Sequence, residues 1–590
     1  MKLFSSDHKL WSGLFFRLLP YQVLLLIINA ANGIVDTVFA SNVIGQDAMT
    51  AIGLYSPLNH FLFALSIMLV SGSQLMVGKA MGKNEMDSVE DFFSTDLIVS
   101  VVLSVIVSVC LIVAALTNAT RVFISDPAGL QALNSYLISN AFGIPALVLG
   151  QQLFAFLSME NQRKLTMIAS LACFVINTIT DWLFLIVLKM GTFGLGLGTS
   201  VATWVFCLVM LRYYIAGRSG MKFSIRAFSM KDTFIIMKKG YSGAISRFVE
   251  MFRCVIVNAL LLKFVGQVGI SAFAAVNSVM AVFWPITFGM VAVTRMLLSI
   301  TIGEEDRKSL ADIMKIALVE GGILQVAVTA LIMALATSLT QLFYHVPSEP
   351  IYTMTMMGFR LLPLCMPLAV LSLTYVCYAQ AMDKRFLATV LPIVDGMVGV
   401  VVCSLILIPL LHINGLYISN ILNGFICLAI ILWYTKKQTG QFPKSIEDIL
   451  MIPPEFGADE GDRIDIEVKE VGAVNTVSEQ VIAFCRDHGI DQRRSNFAGL
   501  ALEEMAGNVV EHGFTKDKKK HVVDMRVVHK GGDIILRILD NCRAFDPLER
   551  IKNFNEGDQF ANVGIRLVNS ISKDVQYQNL LGMNVLTIRI

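Results

Sequence analysis

An α-helical polytopic membrane protein of two six-helix repeats, followed by a soluble α/β domain, is predicted by three observations. The chain is 55% hydrophobic and 16% charged over 590 residues, with mean hydropathy +0.66, far from a soluble average. It repeats itself without gaps at a spacing of 221 residues: Gly45-Gln46 recurs as Gly266-Gln267, Ala51 as Ala272, Gly82 as Gly303, Ser88 as Ser309 and Gly194-Leu195 as Gly415-Leu416. After about residue 440 the apolar text stops and a polar, patterned segment begins. Two like apolar halves suit a transporter whose substrate site lies at the seam and opens to either side as one half rocks against the other.

Taken in order, apolar stretches long enough to cross a bilayer fall at about 13–40, 51–78, 92–117, 133–158, 166–188, 194–216, 234–262, 271–300, 311–342, 354–381, 386–411 and 415–435. This predicts twelve helices, six in residues 1–220 and six in 221–440. The first stretch is longer than the core of a secretory signal, so the first helix is expected to be retained. Loops on one side hold Lys79, Lys83, Arg163, Lys164, a cluster from Arg212 to Lys239, Arg307, Lys308, Lys384, Arg385, Lys436 and Lys437, whereas the opposite loops hold little beyond Arg121, Lys189 and Lys263. The positive-inside rule then places both termini in the cytoplasm, the chain being multi-pass in the cell (inner) membrane.

Residues 441–462, with Pro443, Pro453 and Pro454 among mixed charges, read as a solvated linker. Residues 463–590 read as an independent α/β domain: a strand at Arg463–Val468, helices at Val474–Asp487 and Asn496–Glu511, and strands at Val522–His529, Asp533–Leu539 and Val585–Ile590. The formal charge of +2 gives no reason to expect nucleic acid as a partner. Ten scattered cysteines without paired metal-ligand spacing read as small buried hydrophobes.

Two carboxylates lie inside apolar spans, Asp36 in the first and Asp181 in the fifth. A charge at bilayer depth costs a few kcal/mol even on the mild insertion scale, so such a residue rarely persists without a partner or a task. Asn177 and Asp181, spaced i, i+4, share a helix face on which oxygen-bearing side chains can converge on a proton or a hard monovalent cation. The repeat spacing puts Val257, Val398 and Val402 at the positions of Asp36, Asn177 and Asp181, so the polar set is expected in the first half only. The second half carries Arg247, Glu250, Arg253, Arg295, Glu320, Arg360 and Asp395. Either these neutralise one another within the bundle, or Arg247, Glu250, Arg253 and Arg295 present a charged cavity to an anionic or zwitterionic substrate.

The two six-helix repeats, Val35-Asp36-Thr37 followed by Gly45, Asn177-x-x-x-Asp181 and the glycine-rich Gly194 to Thr199 together resemble the multidrug and toxin extrusion (MATE) family over about residues 10–440. That resemblance implies antiport, with Na⁺ or H⁺ entering as a drug-like organic molecule leaves. It also implies a cation site at Asp36, Asn177, Asp181 and Thr199.

In the soluble domain, Glu504 and Asn508 lie one turn apart on a predicted helix, Asp540 ends a strand, and Gly564 begins a later helix. An amide oxygen suits Mg²⁺, and a nearby carboxylate can accept a proton from an attacking water or hydroxyl. The order resembles the GHKL ATPase/kinase fold, in its anti-sigma-factor serine-kinase branch, which implies Glu504 as catalytic base, Asn508 on Mg²⁺, Asp540 reading adenine and Gly564 approaching the phosphates of ATP. Cys542 and Ala544 replace glycines of that pattern, and the expected Gly-x-Gly is reduced to Gly564. No Gly-x-x-x-x-Gly-Lys-Ser/Thr loop is present, so the domain is not expected to power transport. The expectation is a cation-coupled exporter of small organic molecules with a regulatory ATP-binding tail and a regulatory protein as the tail's partner; whether the tail is an enzyme is left open. The alternatives are a membrane-bound serine kinase that senses through its transporter half, and an exporter or flippase of an anionic metabolite.

Overall fold

The computed structural model describes residues 6–39, 43–44, 46–83, 85–122, 127–453, 456–458, 460–468, 476–513, 523–548, 563–580 and 583–590. The first half folds as α1 (Ser6–Phe39), α2 (Gln46–Gly82), α3 (Met86–Leu116), α4 (Pro127–Ala141), α5 (Ile144–Met159), α6 (Arg163–Asp181) and α7 (Gly191–Ile215). The second half folds as α8 (Met230–Phe264), α9 (Gln267–Gly303), α10 (Arg307–Lys315), α11 (Gly321–Ala334), α12 (Ala336–Gln341), α13 (Pro350–Leu361), α14 (Cys365–Ala381), α15 (Arg385–Ile393), α16 (Gly399–Leu411) and α17 (Ile413–Thr439). Among the described residues ten stretches are long and apolar enough to cross a membrane, and eleven if α4 and α5, bent by 43°, form one span. The expected twelve is not reached on this measure. The segment expected at 234–262 lies in α8, whose 35 residues include Lys238, Lys239, Arg247, Glu250 and Arg253, charges that interrupt its apolar run.

The halves meet through glycine. Gly82 and Gly303, a pair related by the repeat, pack α2 against α9 so closely that a Cβ on either would lie 2.3 or 2.2 Å from a carbonyl oxygen of the other helix. Gly72 and Gly240 do the same for α2 and α8, at 2.0 and 1.8 Å. Any side chain at these points would separate the backbones. Lys79 Nζ, from the first half, donates to the Ala381 carbonyl of the second at 2.7 Å, closing the seam at the end of the bundle from which the C-terminal region continues.

That region contains α18 (Ile446–Leu450), β1 (Arg463–Val468), α19 (Val477–Asp487), α20 (Gln492–Gly513), β2 (Val523–Lys530), β3 (Asp533–Asp540), α21 (Val563–Ile571), β4 (Asp574–Leu580) and β5 (Met583–Arg589). The strands form one antiparallel sheet in the order β1-β2-β3-β5-β4. Alternate residues serve opposite faces: Met525, Leu536, Ile538 and Ile588 join the core beneath α19 and α20, while Leu539, Met583 and Val585 pack with residues of the membrane half. Both faces of this sheet are therefore covered.

The stretch expected as a solvated linker is partly docked. Ser445 and Asp448 form a reciprocal cap at the start of α18. The carbonyls that end this helix are then taken up by the bundle: Tyr375 donates to Ile449 O at 2.7 Å, Tyr378 to Leu450 O at 2.5 Å, and Lys384 to Met451 O at 3.0 Å. Arg307 continues the series onto Pro453 O at 3.0 Å. Cationic and hydroxyl donors satisfy the acceptors that a helix leaves open at its C-terminal end, which composition alone does not reveal.

Candidate functional sites

In the membrane half, Asp36 near the end of α1, Asn177 and Asp181 on α6, and Thr199 on α7 come together. Asn177 Nδ2 donates to Asp36 Oδ1 at 2.6 Å and to Asp181 Oδ2 at 3.1 Å, and Thr199 Oγ1 donates to Asp36 Oδ2 at 3.2 Å. Asp181 and Asn177 are fully buried, and Asp181 Oδ1 has no hydrogen-bond partner among the described residues. The i, i+4 spacing on α6 sets Asn177 beneath Asp181. Gly198 on α7 makes room for the carboxylate, since a Cβ there would sit 2.3 Å from Asp181 Oδ1. Two acids linked by one amide, with one oxygen uncompensated, form a donor set suited to a proton or a small cation. Tyr136 of α4 lies within electrostatic reach of both acids, a neighbour the sequence did not indicate. Asp96 on α3, also overlooked, is fully buried beside the Ser73 hydroxyl.

The second half corrects the counting argument. Val398 and Val402, which stand 221 residues from Asn177 and Asp181, are exposed on the outside of the bundle. A π-helical turn at Val394–Val398 includes the first and precedes the second, whereas in the first half the π-helical turn follows Asp181, at Trp182–Val187. A π turn accommodates an extra residue and rotates everything after it, so equal sequence spacing does not give equal facing. Val257 is buried. Nor is the second half without a buried acid: Asp395 accepts from Asn423 Nδ2 at 2.9 Å and Ser372 Oγ at 3.3 Å, and Arg253 lies within electrostatic reach.

Of the charged set Arg247, Glu250, Arg253 and Arg295, the described residues show two contacts. Arg253 Nη2 lies 3.4 Å from Glu250 Oε1, while Arg295 points to Cys377 Sγ at 3.8 Å. The side chain of Arg247 lies outside the described residues. Glu320 accepts from Ser12 Oγ at 2.5 Å, an α1 contact reaching into the second half.

In the C-terminal domain, the four expected residues fall into two adjoining contacts. Asn508 and Asp540 line a cavity of about 20 Å³ together with Met505, Tyr577 and Asn584. Gly564 lies against Glu504, where a Cβ would be 2.0 Å from Oε2. Asn508 Nδ2 is used on the Glu504 carbonyl at 2.8 Å, so its amide oxygen is the group left for a metal. Asp540 Oδ1 accepts from Asn584 Nδ2 at 2.7 Å and from Cys542 N at 2.9 Å. Tyr577 Oη donates to Asn584 Oδ1 at 2.8 Å. Asn584 and Tyr577 were not foreseen, because only the register Asp540↔Asn584 between β3 and β5 brings them here.

The sheet face opposite this cavity grips the loop between α9 and α10. Arg526 pairs with Asp306 and, through Nε at 2.7 Å, with Asp465. Arg537 pairs with Glu304 and, at 3.2 Å, with Asp306. Lys308 Nζ reaches Asp465 at 2.6 Å, and Lys530 reaches Glu305 at 2.6 Å. Burial opposes ionisation of Asp306, but the guanidinium groups of Arg526 and Arg537 outweigh it and hold its carboxyl well below the usual range. Burial pushes the Glu304 carboxyl up, against the pull of Arg537.

Two family models match separate parts of the chain. Residues 23–183 match the MatE family model, and residues 468–590 match that of the histidine kinase-like ATPase domain. A probable multidrug resistance protein NorM from Photorhabdus laumondii subsp. laumondii is 23% identical over 328 residues, covering 54% of this chain and 70% of the relative. An outward-facing MATE family transporter of the MOP superfamily superposes with TM-score 0.67 at 18% identity, over 74% of this chain and 98% of its own. A MOP superfamily transporter from Pyrococcus furiosus, described as having a binding pocket of reverse polarity, superposes with TM-score 0.65 at 18% identity over the same shares. The chain is a multi-pass membrane protein with the MATE transporter fold, and its C-terminal region matches the histidine kinase-like ATPase domain.

Proposed function

We propose that the membrane half exports small organic molecules by antiport against Na⁺ or H⁺, from an inner membrane in which both termini face the cytoplasm. The observation that carries this reading is the joining of Asp36, Asn177, Asp181 and Thr199 into one hydrogen-bonded cluster, half of it buried. Occupancy by a cation changes the charge that α1, α6 and α7 must accommodate, and differential affinity for the two access states couples ion to substrate. The test is flux in reconstituted vesicles with Na⁺ and pH gradients imposed separately. Asp36→Asn should abolish the gradient-driven component, and undiminished driven transport by that variant rejects the assignment.

The C-terminal domain is proposed to bind ATP and to regulate the transporter. Asn508 would hold Mg²⁺, Asp540 the adenine amino group and the Gly564 backbone the phosphates. The chemistry ATP supplies is a transferable phosphoryl group. Regulation is supported by the two faces of β3: Arg537 clasps the α9–α10 loop, while Asp540 lines the cavity opposite. A second reading, a serine kinase acting on a regulatory protein, is favoured by Glu504 standing against Gly564. Glu504→Ala should leave ATP binding intact and remove phosphoryl transfer; no change in turnover or in partner phosphorylation removes the kinase reading.

A further inference from the structure

A cavity of about 230 Å³ opens at the end of the bundle that carries the C-terminal region, lined by Lys238, Lys239, Tyr241, Gln380, Asp383 and Arg385, with Ala379 and Ala388 as small apolar walls. Its polar groups come from three helices or their ends. Lys238, Lys239 and Tyr241 lie on α8, Gln380 on the last turn of α14, Asp383 in the connection that follows, and Arg385 at the start of α15. Internal bonds fix this shape: Gln380 Nε2 donates to Lys239 O at 3.3 Å, and Tyr241 Oη bonds Thr389 Oγ1 at 2.5 Å.

The charges do not balance. Lys239 pairs with Asp383, and Lys79 of α2 lies close enough to both to feel their charge. Lys238 and Arg385 are exposed and have no ion-pair partner among the described residues. Three cationic groups thus line a concave site that holds one lining carboxylate, with Lys79 a fourth cation close by, and like charges so placed need a counter-ion. The apolar spans Leu58–Gly82, Pro350–Ala381 and Arg385–Leu411 begin or end here, so the cavity sits where the helices leave the hydrocarbon. Basic pockets between helices at that level suit anionic headgroups, and the space is smaller than the roughly 300–1,000 Å³ of a drug-sized site.

We propose that this cavity binds a phosphate-bearing anion, either the headgroup of an anionic lipid or a small soluble phosphate, with Lys238 and Arg385 supplying the charge and Tyr241 a hydroxyl. The site is separate from the Asp36 cluster and does not depend on its role. Because Lys79 of the first half ties to Ala381 beside it, an occupant screens repulsion across the closed seam and favours that closure.

The experiment uses the full chain in nanodiscs of phosphatidylcholine with and without phosphatidylglycerol, scored by native mass spectrometry for retained lipid. A parallel arm measures thermal melting in detergent with inorganic phosphate against chloride at equal ionic strength. Retained phosphatidylglycerol identifies the lipid source, and stabilisation by inorganic phosphate without lipid retention identifies the soluble one; either supports the proposal. Lys238→Gln with Arg385→Gln should weaken whichever binding is seen at least tenfold. Arg385→Lys alone should retain it, which separates loss of charge from loss of fold. The proposal is overturned if neither phosphate source binds, or if the Gln pair binds as well as the original chain. An equal loss on Lys436→Gln with Lys437→Gln, at the end of α17, also overturns it, since binding would then follow general surface charge.

Discussion

A single methyl group tests the buried acid pair. In Gly198→Ala the added carbon would meet Asp181 Oδ1 at 2.3 Å, and Asp181, fully enclosed, has little room to withdraw. Such overpacking typically costs about 1–3 kcal/mol. We expect a modest fall in melting temperature with at least a tenfold loss of ion-driven flux, read side by side in detergent and in vesicles. Gly564→Ala makes a similar intrusion on Glu504 Oε2 at 2.0 Å, but that atom ends a longer, half-buried side chain. Stability should hold while ATP turnover, or phosphorylation of a partner, changes, as measured on the full chain. Among these residues, Asn177 and Asp181 were legible because both lie on one helix and the helical period ties them. Thr199 entered only by resemblance. Asn584 and Tyr577 were illegible, since a sheet register brings them to Asp540 and no local pattern encodes it.

Helices and strands show where periodic reading succeeds and where it slips. The strand at Arg463–Val468 and the strong alternation of β2 and β3 were readable, but β4, Asp574–Leu580, was not. Its sequence carries Gln576, Gln578 and Asn579 among few apolar residues, as an edge strand tolerates. The π turn at Val394–Val398 is a subtler loss: it leaves the repeat intact in letters and rotates it in space. The contact of the sheet with the α9–α10 loop gives a prediction at this scale. Arg526→Glu with Arg537→Glu would set five carboxylates together where two arginines held Glu304, Asp306 and Asp465, and breaking a buried pair costs about 3–5 kcal/mol. The domain should detach, seen as a lengthened fluorescence-transfer distance between labels on the bundle and the sheet. The contact should also resist mild acid. Asp306, whose docked carboxyl lies below its ordinary value, contributes fully above that value, and the contribution fades only as pH falls through the depressed one. Glu304 runs the other way, because its raised value means that a proton taken up in mild acid relieves the burial of charge. The same distance should therefore be unchanged between pH 7 and pH 5 and should lengthen only below about pH 4.

At the scale of the whole molecule, the two halves touch where side chains are missing. Gly240→Val would place a branched side chain where a Cβ already lies 1.8 Å from Met68 O. Nothing at that point is flexible, so the seam must open there. Spin-label distances across α2 and α8 should widen at the end that bears the C-terminal domain, and the proposed export should stall in that state. The repeat foretold two halves, but it could not foretell that the added domain lies against one of them. Leu539, Met583 and Val585 face the bundle, while their strand neighbours Asp540 and Asn584 line the cavity on the other face. Severed from its support, that sheet would present an oily stripe to water. Residues 463–590 made alone should self-associate or precipitate, and the fusion is then better understood as a structural necessity than as a tether of convenience.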